Sequence, residues 1–193
     1  MGTGGSGSEE ASAFHTGIAT GRLWLRPVKP ADEPALGLMA AALAVAANRC
    51  ATIAQEGDLP LSIVVAATGD LIGAANCGPS GLGTGVEVTL WIAEPWWGRG
   101  FGTEAAQGLI DHAFLNAAVD AVWCLNRVTN PRGRRVIERC GFQFRGAGMV
   151  RLPARGAFPI ERFGLDRRSW TSLKAWGARN TRERDLASRE TAA

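Results

Sequence analysis

The chain has 193 residues, 46% of them apolar and 20% charged, which suits a single globular domain with a real core and argues against a second catalytic domain. No apolar run approaches the roughly 20 residues that span a bilayer, and residues 1–12 lack the basic and apolar regions of a signal peptide, so the expectation is a cytoplasmic protein with no membrane partner. The net charge of +3 is uneven: through Gly98 four basic residues stand against nine acidic, and from Arg99 onward 17 stand against nine, so the second half either faces an anion or carries solvated arginines.

Residues 1–8 are Gly/Ser-rich and 1–19 read as a flexible leader; a single domain is expected over 20–177 and a charged tail over 178–193. Thr20 to Val28 alternates, with Leu23, Leu25 and Pro27 on one side, and reads as a strand. Ala31 to about Arg49 reads as a helix whose first turn holds Asp32 and Glu33. Leu61–Ala67 and Leu71–Cys77, joined by Thr68-Gly69-Asp70, form a hairpin, and Gly78–Gly85 reads as a loop. Val86–Ala93 is the next strand. Thr103 to about Ala117 is an amphipathic helix with Ala106, Leu109, Ile110 and Ala113 on one face, and Ala121–Val128 returns as a strand parallel to Val86–Ala93. Asn130–Cys140 is a short helix, with Asn130 as cap, Pro131 at the first position and Gly141 as stop. Phe142–Leu152 and Ile160–Asp166 pair antiparallel, and Arg167–Trp176 forms a last helix with Trp170, Leu173 and Trp176 placed to cover the sheet.

The cysteines Cys50, Cys77, Cys124 and Cys140 form no CxxC pair and accompany only His15 and His112. Neither a zinc site nor a disulfide scaffold follows, no metal is expected, and the four read as reduced core thiols. Chemistry concentrates elsewhere, in the Gly turn Trp97-Gly98-Arg99-Gly100-Phe101-Gly102-Thr103 between a strand and a helix. Consecutive N–H groups at a helix start, reinforced by the macrodipole, hold an anion. A P-loop is ruled out because no Gly-Lys-Ser/Thr follows the glycines at 78–85. A dinucleotide fold fits poorly, since the turn lies mid-chain and no acidic residue ends the next strand.

That turn, continued through Glu104-Ala105 and followed by Asn130-Pro131-Arg132-Gly133-Arg134-Arg135-Val136-Ile137-Glu138-Arg139-Cys140-Gly141-Phe142, resembles the GNAT superfamily of N-acyltransferases, and within it the RimJ/RimL-like branch of ribosomal-protein N-terminal acetyltransferases. The resemblance spans roughly Leu23 to Trp170. It implies the GNAT fold, an α/β (α+β) architecture with a mixed, mostly antiparallel sheet, one parallel βαβ crossover and flanking helices. It also implies acetyl-CoA as co-substrate and an amine acceptor, a small molecule or a protein N-terminus, served by a monomer or homodimer. The pyrophosphate would lie on Gly98, Arg99, Gly100, Phe101, Gly102 and Thr103, and the pantetheine arm along Leu90, Trp91 and Ile92, where a backbone N–H would also stabilise the oxyanion.

Residue roles follow from the same resemblance. Asn130 would bond the cofactor's arm, beside its role as helix cap. Arg132, Arg134 and Arg135 stand where CoA phosphates would meet guanidinium donors, in a basic region relieved by Glu138. Glu87 matches the acid that many relatives use as base; it is either base or amine binder, or half of a structural ion pair. Glu94 is a second candidate. Trp96 and Trp97 either close over the acceptor or pack beneath the turn, and His112 reads as a surface or core contact.

The chain departs from the family in two places. It contains no tyrosine, the usual proton donor to the departing thiolate, with Ile137 in that neighbourhood, and Gly133 stands where the branch often has serine. Cys140 is close enough in sequence to donate but reads as a core thiol. The segment Val28–Leu61 is short for the branch, which suggests an open acceptor cleft. The alternative function is a non-catalytic acyl-CoA-binding or sensor module. Nucleic-acid binding lacks a motif and interleaved aromatics.

Overall fold

The computed structural model describes residues 17–37, 59–80, 85–116, 119–152 and 156–177. The described strands are β1 (Ile18–Ala19), β2 (Leu23–Pro27), β3 (Leu59–Val65), β4 (Leu71–Pro79), β5 (Val86–Ile92), β6 (Ala121–Arg127), β7 (Gln143–Leu152) and β8 (Gly156–Asp166). They make one sheet in the order β1-β2-β3-β4-β5-β6-β8-β7. Neighbours pair antiparallel except β5 with β6, so the expected mixed sheet with one parallel crossover is present. The helices are α1, described over 33–37, α2 (Phe101–Asn116), α3 (Pro131–Arg139) and α4 (167–177).

Strand alternation decides which face is dry. Leu23, Leu25, Leu61, Ile63, Ala75, Cys77, Val88, Ile92, Val122, Cys124, Phe163 and Leu165 point to one side and meet Ala106, Leu109, Ile110, Ala113 and Phe114 of α2. Fully burying such a side chain contributes about 2 kcal/mol, so α2 clamps strands from both halves of the sheet. By register the opposite face carries Arg26, Ser62, Asn76, Thr89, Glu87, Trp123 and Arg162. There Asp32 receives both guanidinium nitrogens of Arg26, at 2.6 and 2.9 Å, the Ser62 hydroxyl at 2.7 Å and the Lys29 N–H at 2.9 Å. This holds the start of α1 against β2 and β3. The Arg26 bonds lead in pulling the Asp32 carboxyl well below the usual carboxylate range.

Several boundaries differ from expectation. The sheet begins at Ile18, inside the expected leader, because Ile18 and Ala19 pair with Leu25 and Trp24; two residues are too short to show periodicity. β8 begins at Gly156 rather than Ile160, with Pro159 inside it opposite Met149, a place where its missing N–H is tolerated only by a local irregularity or an unused donor position. α2 begins at Phe101, two residues early. Gly78 and Pro79 extend β4; 81–84, the rest of the expected first helix and the shortened wall at 38–58 lie outside the described residues, as do Cys50 and the tail. Of the three α4 residues placed to cover the sheet, Trp170 instead stacks on Phe114 of α2 at 5.0 Å and donates to Asp111, while Leu173 and Trp176 are largely exposed.

Candidate active site

β5 and β6 have seven residues each yet their recorded pairing is Val86 with Val122 and Glu87 with Trp123. Beyond Glu87 the two strands separate. The Ala93 N–H donates to Ile72 of β4 at 2.8 Å, so alternation turns the backbone groups of Trp91 to β4 and those of Leu90 and Ile92 toward the gap. Of the three residues expected along the cofactor arm, Leu90 and Ile92 therefore line the opening by their backbone, and Trp91 is paired with Ala74. The Ile92 carbonyl accepts the Trp97 indole N–H at 2.6 Å.

The Gly turn sits at the outer end of this gap. A 3-10 turn, Glu94–Trp96, leads into Gly98 at φ +77° and Gly100 at φ +82°, a region where a side chain is strained and glycine is not. A Cβ at Gly98 would meet nothing within 4 Å, and at Gly100 only an Arg22 nitrogen at 3.4 Å. The inner surface of the turn is open. The first helical bond is Glu104 N–H to Gly100 at 3.1 Å, and among the described residues none accepts from the N–H groups of Gly98, Arg99, Gly100, Phe101, Gly102 or Thr103. Six donors at a helix start make an anion seat.

Arginines surround it, and two of them stand without a carboxylate partner among the described residues. The Arg99 guanidinium lies over Trp96 at 4.9 Å and that of Arg132 over Trp97 at 4.4 Å; among the described residues neither has an ion pair. Both tryptophans thus pack around the turn, and Trp96 also meets Phe101 at 5.9 Å. Arg22, which sequence reading missed, lies over Phe101 at 4.5 Å and donates to the Arg99 carbonyl at 3.1 Å. Glu104 ties it down, accepting from the Arg22 N–H, the Arg22 guanidinium and the Thr20 hydroxyl at 2.6 to 2.7 Å. Burial raises the Glu104 pKa, but these bonds outweigh it and hold the carboxyl below its ordinary value.

On the other side of the gap, Asn130 caps α3, its side-chain oxygen accepting from Gly133 N–H at 3.0 Å. Buried Asn126 on β6 donates to the carbonyls of Arg127 and Asn130 at 2.9 and 3.2 Å. Gly133 is required by this packing: a Cβ there would lie 2.5 Å from both Asn126 Oδ1 and Asn130 Nδ2. The signal for Asn126 was a polar residue in the inward row Val122, Cys124, Asn126. Arg134 is taken by Glu138 at 2.8 Å and Glu161 at 2.6 Å, so Glu138 is not alone in relieving the basic region. Arg135 is exposed.

Glu87 is half-buried on the face opposite α2, beside Trp123. Its charge adds to burial in pushing the Cys124 thiol well up. Glu94 is exposed in the 3-10 turn. Cys140 is buried, its Sγ directed at the Thr103 carbonyl at 3.9 Å, and burial chiefly, with the Asp111 charge, raises its pKa to about 12. Cys77, Cys124 and Cys140 are buried thiols in no disulfide, and no group of metal-binding side chains occurs among the described residues. His112 approaches Asn116 at 3.2 Å. No described helix is long and apolar enough to cross a membrane.

The family model described as an acetyltransferase (GNAT) domain matches residues 22–143. The chain belongs to the GNAT acetyltransferase family. It is an acyltransferase, and enzymes of this family use acetyl-CoA. Among solved structures, the GNAT fold here is similar to Mycobacterium smegmatis RimJ in complex with CoA-disulfide, at 18% identity and a TM-score of 0.69, covering 86% of this chain and 96% of that one. It is also similar to a GNAT-family acetyltransferase from Bacillus anthracis, at 15% and 0.66, covering 78% and 98%. A third is Vibrio cholerae spermidine N-acetyltransferase in complex with CoA and spermine, at 16% and 0.65, again covering 78% and 98%. Comparison with curated protein sequences returns no match.

Proposed function

We propose that this GNAT chain transfers the acetyl group of acetyl-CoA to a primary amine by direct attack on the thioester. The observation that carries the reading is the two-residue ladder between β5 and β6, which ends in a gap beside six N–H groups without an acceptor and two arginines without an ion pair among the described residues. The residues present fit the co-substrate: an open anion seat on a helix start for the pyrophosphate, Arg99 and Arg132 for further phosphate charge, and an exposed strand edge at Leu90 for the amides of an extended arm. When bound, acetyl-CoA supplies an acyl group activated as a thioester.

The chain's own residues do the rest. Glu87, a carboxylate on the strand beside the gap, accepts a proton from the acceptor ammonium directly or through water. The Leu90 N–H, on the gap edge, is placed to stabilise negative charge developing on the carbonyl oxygen. Asn130 fixes the first turn of α3 at the far wall and offers its amide to the arm. Cys140 keeps its proton at neutral pH and is turned into the α2–α3 contact, so the thiolate takes its proton from solvent. The acceptor class, a small amine or a protein N-terminus, rests on the likeness to the RimJ/RimL-like branch, and a cytoplasmic site of action accords with it.

The test is a thiol-release screen over amines and N-terminal peptides, run on the wild type and Glu87→Gln, with acetyl-CoA binding followed by calorimetry. CoA release that falls about 100-fold or more in Glu87→Gln, with acetyl-CoA binding retained, supports base catalysis by this residue. Tight acetyl-CoA binding with no release by any acceptor would instead identify a sensor, a reading that the lack of any tyrosine favours. Failure to bind acetyl-CoA would overturn both.

A further inference from the structure

The sheet face opposite α2 divides by hydrogen-bonding polarity. Asn76 Oδ1, an acceptor on β4, and Trp123 Nε1 and Arg162 Nε, donors on β6 and β8, are buried with no hydrogen-bond partner among the described residues. Register puts all three on this face: Asn76 pairs with Thr89, two residues from Glu87; Glu87 pairs with Trp123; and Arg162 pairs with Leu125, two residues from Trp123. The β4–β5 side therefore presents acceptors and the Glu87 carboxylate, and the β6–β8 side presents donors and cations.

The cationic side is built rather than incidental. Arg162 lies against Gly148, whose Cβ would come 2.9 Å from its Nη2. The Trp123 ring lies against Gly164 and Gly85, whose Cβ atoms would come 2.9 Å from its Cζ3 and 3.4 Å from its Nε1. Arg127 stacks on Phe158 at 4.0 Å. Among the described residues no carboxylate pairs with Arg127 or Arg162; the nearby acids are used elsewhere, Glu161 by Arg134 and Asp166 by Ser169 and Arg145. A buried guanidinium N–H without an acceptor is destabilising, and a bound anion removes that cost.

We infer that the acceptor is a peptide N-terminus carrying an acidic side chain within its first few residues, an inference that rests on the proposed transfer to an amine. The ammonium lies on the Glu87 side and the acidic side chain is met by Arg162. Two strand spacings and two residues separate Glu87 from Arg162, about 12 Å between α-carbons, and an extended peptide advances about 3.3 Å per residue. Arg162 extends away from Glu87, with its guanidinium against Gly148 on β7, so a free amino acid is too short to reach both, and a polyamine would set a second cation against Arg162 and Arg127.

Calorimetry on the full chain loaded with CoA tests this, using peptides with Glu at positions two to four, the same peptides with Gln, and spermidine. Binding of the Glu peptide about tenfold or more tighter than its Gln partner is expected. In Arg162→Met that ratio should fall to about one, while Arg162→Lys keeps part of it. Equal binding of Glu and Gln peptides, tighter binding of spermidine, or a ratio unmoved in Arg162→Met overturns the inference. Turnover assays on the same peptides should place the Glu-to-Gln difference in KM rather than kcat. A preserved Glu preference in binding without any CoA release would overturn the transfer reading and the acceptor role with it, whereas CoA release with equal binding of the Glu and Gln peptides would overturn this inference alone.

Discussion

Glu104 Oε1 accepts from the backbone N–H of Arg22 at 2.6 Å, joining the first turn of α2 to the start of β2 across 82 residues of sequence. With the Arg22 guanidinium on Glu104 and on the Arg99 carbonyl, this fixes the Gly turn from outside. Glu104→Gln keeps the shape and weakens the charge-assisted bonds, so stability should fall by about 1–2 kcal/mol. Acetyl-CoA affinity should fall as well, by several-fold, because the donors of the turn lose their fixed orientation. Thermal melts and calorimetry check the two effects separately.

The Gly turn allows a contrast between neighbours. Gly98 needs positive φ and its Cβ would project into open space, so Gly98→Ala should cost about 1–2 kcal/mol of stability and, by occupying the anion seat, at least tenfold in acetyl-CoA affinity. Gly102 is helical, and its Cβ would rest at ordinary distance, 3.7 Å, from Val136. Gly102→Ala should therefore be neutral or stabilising by up to about 1 kcal/mol. Equal loss of affinity in both variants would show that the turn is sensitive to any change rather than to its open surface.

Gly133 is locked by Asn126. Gly133→Ser should destabilise by about 1–3 kcal/mol, since its Cβ meets side-chain atoms of two residues that hold each other. In an Asn126→Ala background the penalty should shrink, giving a coupling of about 1 kcal/mol in a double-mutant cycle. Additive penalties would place the strain elsewhere.

The Arg26–Asp32 pair gives a pH signature. The Asp32 carboxyl titrates far lower in the folded chain than in the unfolded one, so the unfolded state binds more protons as pH falls. The stabilisation is complete above about pH 4, the unfolded value, and is lost as pH falls from there toward the folded value. Asp32→Asn should cost about 3 kcal/mol at pH 7 by leaving Arg26 without its charge partner, and urea melts should show the variant with a flatter dependence on pH below 4.

Most of this frame is legible in sequence because it is local. The Leu23 and Leu25 alternation, the Ala106, Leu109, Ile110 and Ala113 stripe, and the Asn130-Pro131 start of α3 each follow from short-range periodicity or capping, and each is where expected. What escaped is long-range. Arg22 reaches Glu104, and Arg134 reaches Glu161 across 27 residues, pairings that no spacing rule encodes. Trp97 could be read as lid or packing; its ring is settled by a bond to Ile92 and a stacked guanidinium. Asn126 shows how a polar residue in an inward row marks a buried junction that composition alone conceals.

The short ladder between β5 and β6 also bears on how the molecule holds together before it binds anything. β2 to β5 and β6 to β8 are each stitched by long antiparallel ladders, but the seam between these two plates is closed at one end and bridged from one side by α2. A ligand arm laid in the seam would serve as a partial strand, linking the backbones of plates that beyond Glu87 meet through side chains. Amide exchange at Leu90 and along the outer half of β6 should then slow on saturation more than in any other strand, making the seam the place where binding and folding stability are the same quantity.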